Sequence, residues 1–247
     1  MIIDLAVAEI DTGAQGYTRM LDRAPTGEGA AVFDVGGVLL RLRPADTDHR
    51  VLFPHEDTDE AARVVQRRGL ELTTSRGGEW LAADLPVGLY PSVGDSGVQP
   101  DDPGAGGAIT GVDHVVFHTT DRDRAVALFG ATLGLDFRLD RRVSDDLRQL
   151  FFRTTGPVIE VVVTPGDTDE PDSRADLSVW GIAWATVDID RTRARLADAG
   201  VDVSEVRSGH KPGTRVMTVR DPALATRTIL IESDQPRPPA SSPTGTP

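Results

Sequence analysis

Cysteine is absent from this chain of 247 residues, which excludes disulfide bonds and thiolate chemistry. Any metal site must therefore be built from nitrogen and oxygen ligands. The chain also lacks an apolar run of the roughly 20 residues needed to cross a bilayer. No basic residues precede the apolar stretch near the N-terminus, as they would in a secretory signal peptide. These absences predict a soluble cytoplasmic protein.

Positive charge is scarce as well. Lysine and arginine number 26 against 39 acidic residues, the net charge is −13, and Lys211 is the only lysine. A protein that binds nucleic acid needs a basic face for the phosphate backbone, so a nucleic-acid partner is not expected. No membrane partner is expected either, and the sequence leaves a monomer and a homodimer open.

One pattern occurs four times along the chain: an apolar strand, an acidic turn, an amphipathic helix and further strands. Asp59, Asp123 and Asp190 open the last three helices, at intervals of 64 and 67 residues. Regular spacing of this kind indicates repeated supersecondary units. Short segments rich in β-branched and aromatic residues follow the last two helices, so these copies are predicted to be β-α-β-β-β. The first copy is compressed.

Composition also predicts the division of the chain. Residues 92–110 are rich in Gly, Pro and Asp without an apolar period, which is typical of a linker. The halves on either side, 1–91 and 111–233, each hold two copies of the repeat. Residues 234–247 are rich in Pro and small polar residues and are predicted to be a disordered tail.

The segments DHVVFHTTDRDRAVALFGATLGLDF and GPVIEVVV resemble the opening and closing parts of a module in the vicinal oxygen chelate superfamily. This superfamily includes glyoxalase I, bleomycin-resistance proteins and extradiol dioxygenases. The resemblance is stronger over 111–233 than over 1–91. It implies an α+β fold in which four βαβββ modules pair into two glyoxalase-like cupped sheets. The site is expected in the C-terminal cup, the N-terminal domain being degenerate. Because the fold hosts many chemistries, the resemblance predicts fold better than reaction.

The resemblance places His114 and Glu160 at metal-ligand positions, which makes them the first candidates for catalysis and for holding Zn, Ni, Mn or Fe. Glu160 interrupts the apolar run PVIEVVV, where an unpaired carboxylate is costly, so it needs a metal, an arginine or His114 as a partner. The fourth module has Gly181 where a second histidine would stand. The ligand set is therefore incomplete, which counts against a dioxygenase.

Other candidates come from the ends of the strands and from one basic loop. Glu232 is the third candidate catalytic residue, although Thr228 competes with it for the ligand position and it could equally be an exposed strand end. The guanidinium group of an arginine binds a carboxylate or phosphate through two hydrogen bonds, so the expected ligands include anionic ones. The alternative for the basic residues is a solvated loop, and the alternative for Trp184 is a place in the core. The candidate substrate-binding residues are His118, Trp184, Arg207, Lys211 and Arg215.

Three functions fit these residues. The favoured one is a glyoxalase-like lyase or isomerase that acts next to a carbonyl group, with a metal held by His114 and Glu160 and a proton moved by Glu232. The second is a metal-free binding protein of the bleomycin-resistance type, which sequesters a small molecule. The third is a metal-free enzyme in which His114 and Glu160 form an acid–base pair.

Overall fold

A computed structural model describes residues 1–26, 31–92, 108–165 and 177–234. Most of the predicted linker (92–110) and nearly all of the predicted tail (234–247) lie outside the described residues. Two mixed β-sheets and four helices form an α+β fold, which confirms the predicted fold class. None of the described helices is long and apolar enough to cross a membrane.

The N-terminal half forms a seven-stranded sheet with two helices, α1 (Ile10–Leu21) and α2 (Thr58–Arg67). The strand order is β2-β3-β1-β4-β7-β6-β5. The first module supplies three strands and the second supplies four, in line with the compressed first repeat. In chain order the strands are β1 (Ile2–Val7), β2 (Val32–Val35), β3 (Val38–Pro44), β4 (Arg50–His55), β5 (Leu72–Thr74), β6 (Trp80–Ala82) and β7 (Val87–Pro91).

The C-terminal half forms an eight-stranded sheet of order β13-β14-β15-β12-β8-β11-β10-β9. Its helices are α3 (Arg122–Val126), which continues as a π-helical segment over Ala127–Thr132, and α4 (Ile189–Asp198). Each module is β-α-β-β-β, and β8 begins within the segment 92–110. The strands are β8 (Ile109–Thr119), β9 (Asp136–Ser144), β10 (Leu147–Arg153), β11 (Val158–Val163), β12 (Ser178–Thr186), β13 (Arg207–Ser208), β14 (Thr214–Val219) and β15 (Arg227–Ser233).

Aspartate side chains fix where three of the helices begin. The carboxylate of Asp57 accepts a hydrogen bond from the backbone N–H three residues later, and Asp121 and Asp188 do the same, at 2.8 to 2.9 Å. Each satisfies a backbone donor that the first helical turn leaves free. The acidic residues that the sequence pattern marked as openers lie two positions further on, inside the first turn.

The first strands of the two C-terminal modules, β8 and β12, pair antiparallel in the middle of the eight-stranded sheet. The register pairs His114 with Ala183 and Val116 with Gly181. A two-fold rotation that exchanges the two strands, and with them these two residue pairs, places His114 of β8 on Gly181 of β12. The sequence alignment of the modules predicted this equivalence. This local two-fold relation makes residues of the fourth module direct counterparts of residues of the third.

The two faces of this sheet differ in chemistry. Val115 and Phe117 in β8 are fully buried in the core, and Phe129, which follows α3, packs its ring 5.0 Å from that of Phe117. This is the helix face. Because side chains alternate along a strand, His114 and Glu160 lie on the opposite face, called the cup face here. Four apolar cup-face residues are also buried but lie outside the core cluster: Val116, Val162, Ala183 and Val216.

Candidate functional site

The centre of the C-terminal cup face is a pair formed by His114 and Glu160. The strands β8 and β11 are parallel neighbours, and Glu160 stands opposite Val116, two residues beyond His114. Nε2 of His114 lies 3.1 Å from Oε2 of Glu160, and their side chains are only 15% and 9% exposed. Glu160 thus has the partner that its position in an apolar strand requires.

Asp113 completes the other side of the imidazole. Its Oδ2 atom lies 2.8 Å from Nδ1 of His114. Consecutive residues of a regular strand point to opposite faces, but the register between β8 and β12 shifts at Asp113. This β-bulge brings the two adjacent side chains together. The sequence analysis missed Asp113, since a bulge leaves no local pattern in the residues.

Two polar residues hold Glu160 from the far side. Nε2 of Gln149 in β10 donates a hydrogen bond of 2.6 Å to Oε1 of Glu160. Arg141, the Cα partner of Gln149 in β9, in turn donates from Nε to Oε1 of Gln149 at 3.2 Å. The sequence analysis did not identify either residue. Arg141 thus holds Gln149 in place, and Gln149 and His114 give each oxygen of the carboxylate a donor.

The two carboxylates determine the charge of the imidazole. Burial by itself lowers the pKa of His114, but the hydrogen bonds and the attraction of Asp113 and Glu160 outweigh it and raise this pKa to about 9. His114 is therefore an imidazolium at neutral pH. Each ring nitrogen then carries a proton and donates to one carboxylate.

Residues 113–218 match a family model described as Glyoxalase/Bleomycin resistance protein/Dioxygenase superfamily. The family predicted from the sequence is thereby confirmed for these residues, which make up most of the C-terminal half. In sequence the chain matches no curated protein.

Solved structures of this superfamily share the fold over nearly the whole chain. A Mn(II)-bound glyoxalase from Novosphingobium aromaticivorans is 19% identical, with a TM-score of 0.71 over 94% of this chain and 80% of that one. A mutant 4-hydroxymandelate synthase from Streptomyces coelicolor is 17% identical, with a TM-score of 0.67 over 96% and 92%. BphC, a halotolerant catechol dioxygenase, is 12% identical, with a TM-score of 0.65 over 94% and 85%. At these identities the likeness concerns the fold.

A divalent metal does not fit the side chains of this glyoxalase-type cup. The counterpart of His114 is Gly181, where a Cβ atom would lie 2.8 Å from the carbonyl oxygen of Arg227. The counterpart of Glu160 is Ile229, which pairs with Ala183 as Glu160 pairs with Val116. Among the described residues, no group of three or more His, Asp and Glu side chains is arranged so that it could hold a metal ion.

Glu232 lies on the helix face, away from His114. It stands two residues after the core residue Leu230 in β15, so the two side chains share a face. Its Oε2 accepts a hydrogen bond of 3.1 Å from the backbone N–H of Ile189, the first residue of α4. The same oxygen lies 3.3 Å from Arg215. The prediction that Glu232 works in the cup is corrected, because the sheet separates it from the imidazole.

Two more candidates also lie on the helix face. Trp184 is fully buried in the core, 6.3 Å from the ring of Tyr17 in α1, so it joins the two halves and does not line the cup. Thr228 is buried on the same face of β15, where its hydroxyl bonds to the carbonyl oxygen of Thr226. Neither side chain can reach a ligand that is bound beside His114.

The basic candidates separate into different places. Arg215 binds Asp190 of α4 through Nη2 at 2.8 Å, and this contact belongs to the helix face. Lys211 is exposed in the loop between β13 and β14. Arg207 is exposed in the edge strand β13, opposite Val216, so it lies at the margin of the cup face. Of these three residues, only Arg207 is placed to meet a ligand in the cup.

His118 lies on the cup face of β8 but is engaged away from His114. Its Nε2 atom lies 2.8 Å from Oγ1 of Thr164, and its ring centroid is 6.3 Å from that of Trp180. Trp180 is the bulged residue of β12 and the counterpart of Asp113. The guanidinium of Arg227 lies 4.4 Å above its ring. This aromatic cluster forms an edge of the cup.

Proposed function

We propose that the C-terminal cup binds a small oxygenated molecule and that His114 and Glu160 move a proton next to its carbonyl group. The proposal combines the lyase or isomerase chemistry favoured from the sequence with the third alternative, a metal-free acid–base pair of His114 and Glu160. The observation that carries the proposal is the buried contact of 3.1 Å between a charged imidazole and a carboxylate on the cup face. A buried pair of titratable groups with a raised histidine pKa is typical of catalytic sites.

The two side chains have complementary roles. Glu160 is the base: its carboxylate, which two donors hold in place, takes a proton from the carbon beside a carbonyl group. His114 is the donor that stabilises the negative charge developing on the carbonyl oxygen. The glyoxalase from Novosphingobium aromaticivorans, which shares this fold, binds Mn(II). In this proposal the positive charge comes from the imidazolium.

The position of Arg207 indicates the class of ligand. Its exposed guanidinium lies at the margin of the cup face, on the side that carries the apolar residues Val216 and Ile229. Guanidinium groups bind carboxylates through two parallel hydrogen bonds. Since β13 lies four strands from β8 in the sheet order, a ligand that meets both must be longer than a small oxo acid, with a carbonyl near His114 and a carboxylate toward Arg207.

A second function is favoured because His114 and Glu160 make their hydrogen bonds within the protein. Both ring nitrogens of His114 and both carboxylate oxygens of Glu160 already have partners within the protein. A site that only binds a ligand has no need to free these groups. The second candidate is therefore a metal-free binding protein, in which the cup sequesters a small molecule without transforming it.

Deuterium exchange separates the two functions. A panel of oxo acids of increasing chain length is incubated with the protein in D2O, and loss of the proton beside the carbonyl is followed by NMR. Wild-type protein is expected to catalyse exchange. Glu160→Gln should abolish exchange while retaining binding, measured by isothermal titration calorimetry. Glu232→Gln, on the other face of the sheet, is the matched control and should exchange at the wild-type rate.

The outcomes are distinct. Binding without exchange in the wild-type protein would establish the binding protein instead. Deuterium exchange that persists in the Glu160→Gln variant would show that Glu160 is not the base. Elemental analysis of protein purified without chelator or affinity-tag metal tests the donor set: we expect far less than one ion per chain. One ion per chain that is lost in the His114→Ala/Glu160→Ala variant would restore a metal site.

A further inference from the structure

The N-terminal sheet has a cup face of its own, and its central positions carry arginine. The strands β1 and β4 pair antiparallel, with Asp4 opposite Arg50, as β8 pairs with β12. Arg50 stands seven residues before the helix cap Asp57, and His114 stands seven residues before the helix cap Asp121. Arg50 therefore occupies the position that His114 occupies in the C-terminal sheet.

Arg41 lies on the closing strand of the other N-terminal module. In the C-terminal sheet Glu160 is the Cα partner of Val116 on the first strand of its module. In the first module Arg41 of the closing strand β3 is likewise the Cα partner of Asp4 on β1. Arg50 belongs to the second module and Arg41 to the first, so they do not repeat the His114–Glu160 pair of a single module. With Arg50 at the His114 position, Arg41 takes the place of Ile229, and the two arginines flank Asp4.

The charges around these arginines do not cancel. Arg41 binds Asp4 through Nε and Nη2, at 2.6 and 2.7 Å, and binds Glu79 through Nη1. Nε of Arg43 lies 3.4 Å from the same Asp4. Two carboxylates therefore neutralise Arg41 and Arg43. Arg50 adds a third positive charge, and its buried Nε atom has no hydrogen-bond partner in the described part of the chain.

A buried donor without a partner costs free energy, and a positive charge raises that cost. An anion would remove both costs, since the guanidinium fork matches the two oxygens of a carboxylate or phosphate. Arg43 provides access, because its side chain is 35% exposed on the same face. Tyr90 of β7 provides a hydroxyl donor near Arg41; burial raises its pKa, with Arg41 opposing, so the phenol keeps its proton.

We propose that the N-terminal cup binds a small oxyanion, a carboxylate or phosphate group, between Arg50 and Arg43. This site is separate from the His114 cup and does not depend on the function proposed for it. The N-terminal half is then a second ligand-binding domain in addition to its structural role. The occupant is a metabolite or metabolite fragment that carries one anionic oxygen group.

NMR of the arginine Nε–H groups in the full chain tests the site. Sodium phosphate and sodium acetate are titrated separately, with sodium chloride at equal ionic strength as the reference. We expect the Arg50 resonance to shift saturably with at least one of the two anions. Comparison of the two titrations identifies the preferred group. Arg50→Met should abolish the saturable shifts of the neighbouring backbone amides, whereas Arg67→Met, on the exposed surface of α2, should leave them unchanged.

Several results would overturn the proposal. Equal shifts with chloride, shifts that never saturate, or shifts that persist in Arg50→Met would each show that Arg50 holds no oxyanion. If Arg50→Met does not fold, Arg50→Lys replaces it: affinity should fall about tenfold because the fork is lost, and unchanged affinity would contradict the site. His114→Ala must retain the anion binding, which keeps this site distinct from the C-terminal cup.

Discussion

Gly181 and Arg227 approach each other so closely that a Cβ atom at Gly181 would lie 2.8 Å from the carbonyl oxygen of Arg227. The strands β12 and β15 pair at these two residues. Gly181 is the counterpart of His114, so a second histidine is missing here and any side chain is excluded as well. The fourth module therefore has no space for a side chain at the position where the third module carries the imidazole of His114.

This closure predicts the effect of a small substitution. Gly181→Ala should lower the free energy of unfolding by about 1–3 kcal/mol, because the added methyl group forces the two strands apart. Urea denaturation measures the change. Gly111→Ala in β8 is the matched control, since a Cβ there meets nothing within 4 Å, and its stability should stay near that of the wild type. Full stability in Gly181→Ala would contradict the steric account.

The His114 pKa predicts a pH dependence of stability. The folded-state pKa of about 9 lies above the ordinary 6.5, so the stabilisation is fully present below pH 6.5 and is lost as the pH rises through about 9. A shift of this size corresponds to roughly 3 kcal/mol. Urea denaturation across this pH window should show the loss in wild-type protein. His114→Gln should lack it, and parallel curves for the two proteins would refute the coupling.

The two tryptophans of β12 should behave oppositely on truncation. Trp184→Ala should destabilise the protein by about 3–5 kcal/mol, since it empties a fully buried site between the two halves. Trp180→Ala should cost about 1 kcal/mol, since Trp180 is 36% exposed and loses chiefly its contact with Arg227. Thermal and urea unfolding measure both. Loss of ligand binding in a folded Trp184 variant would place that residue in the cup after all.

Glu232 should contribute more to the stability of the protein than to ligand binding in the cup. Glu232→Gln weakens the contacts of this carboxylate with the first N–H of α4 and with Arg215, and we expect a loss of about 1 kcal/mol. Circular dichroism of urea unfolding measures it. Arg220→Gln, whose partner Asp202 is similarly exposed to solvent, is a control and should lose less. A stable Glu232→Gln protein that no longer binds ligand would reverse this assignment.

Much of the fold follows from local sequence. The aspartates before three helices, the glycines after them and the β-branched strands specify each module through contacts only a few residues apart. Residue type also marked the central pair, because a histidine and a glutamate inside apolar strands need partners. The position of Gly181 could be read by aligning one module on another, since the helix caps Asp121 and Asp188 fix the offset.

Other features depended on how the strands meet. The period of two in β15 shows that Glu232 and Leu230 share a face, but only helix packing decides that this face is the core. The bulge at Asp113 and the bonds from Gln149 and Arg141 arise from the register between strands that are distant in sequence. The sequence by itself determined the modules and the chemistry available in them, because propensity and capping act locally. The tertiary structure decided which side chains meet in the cup, because strand register and the choice of face are set by packing across the whole sheet.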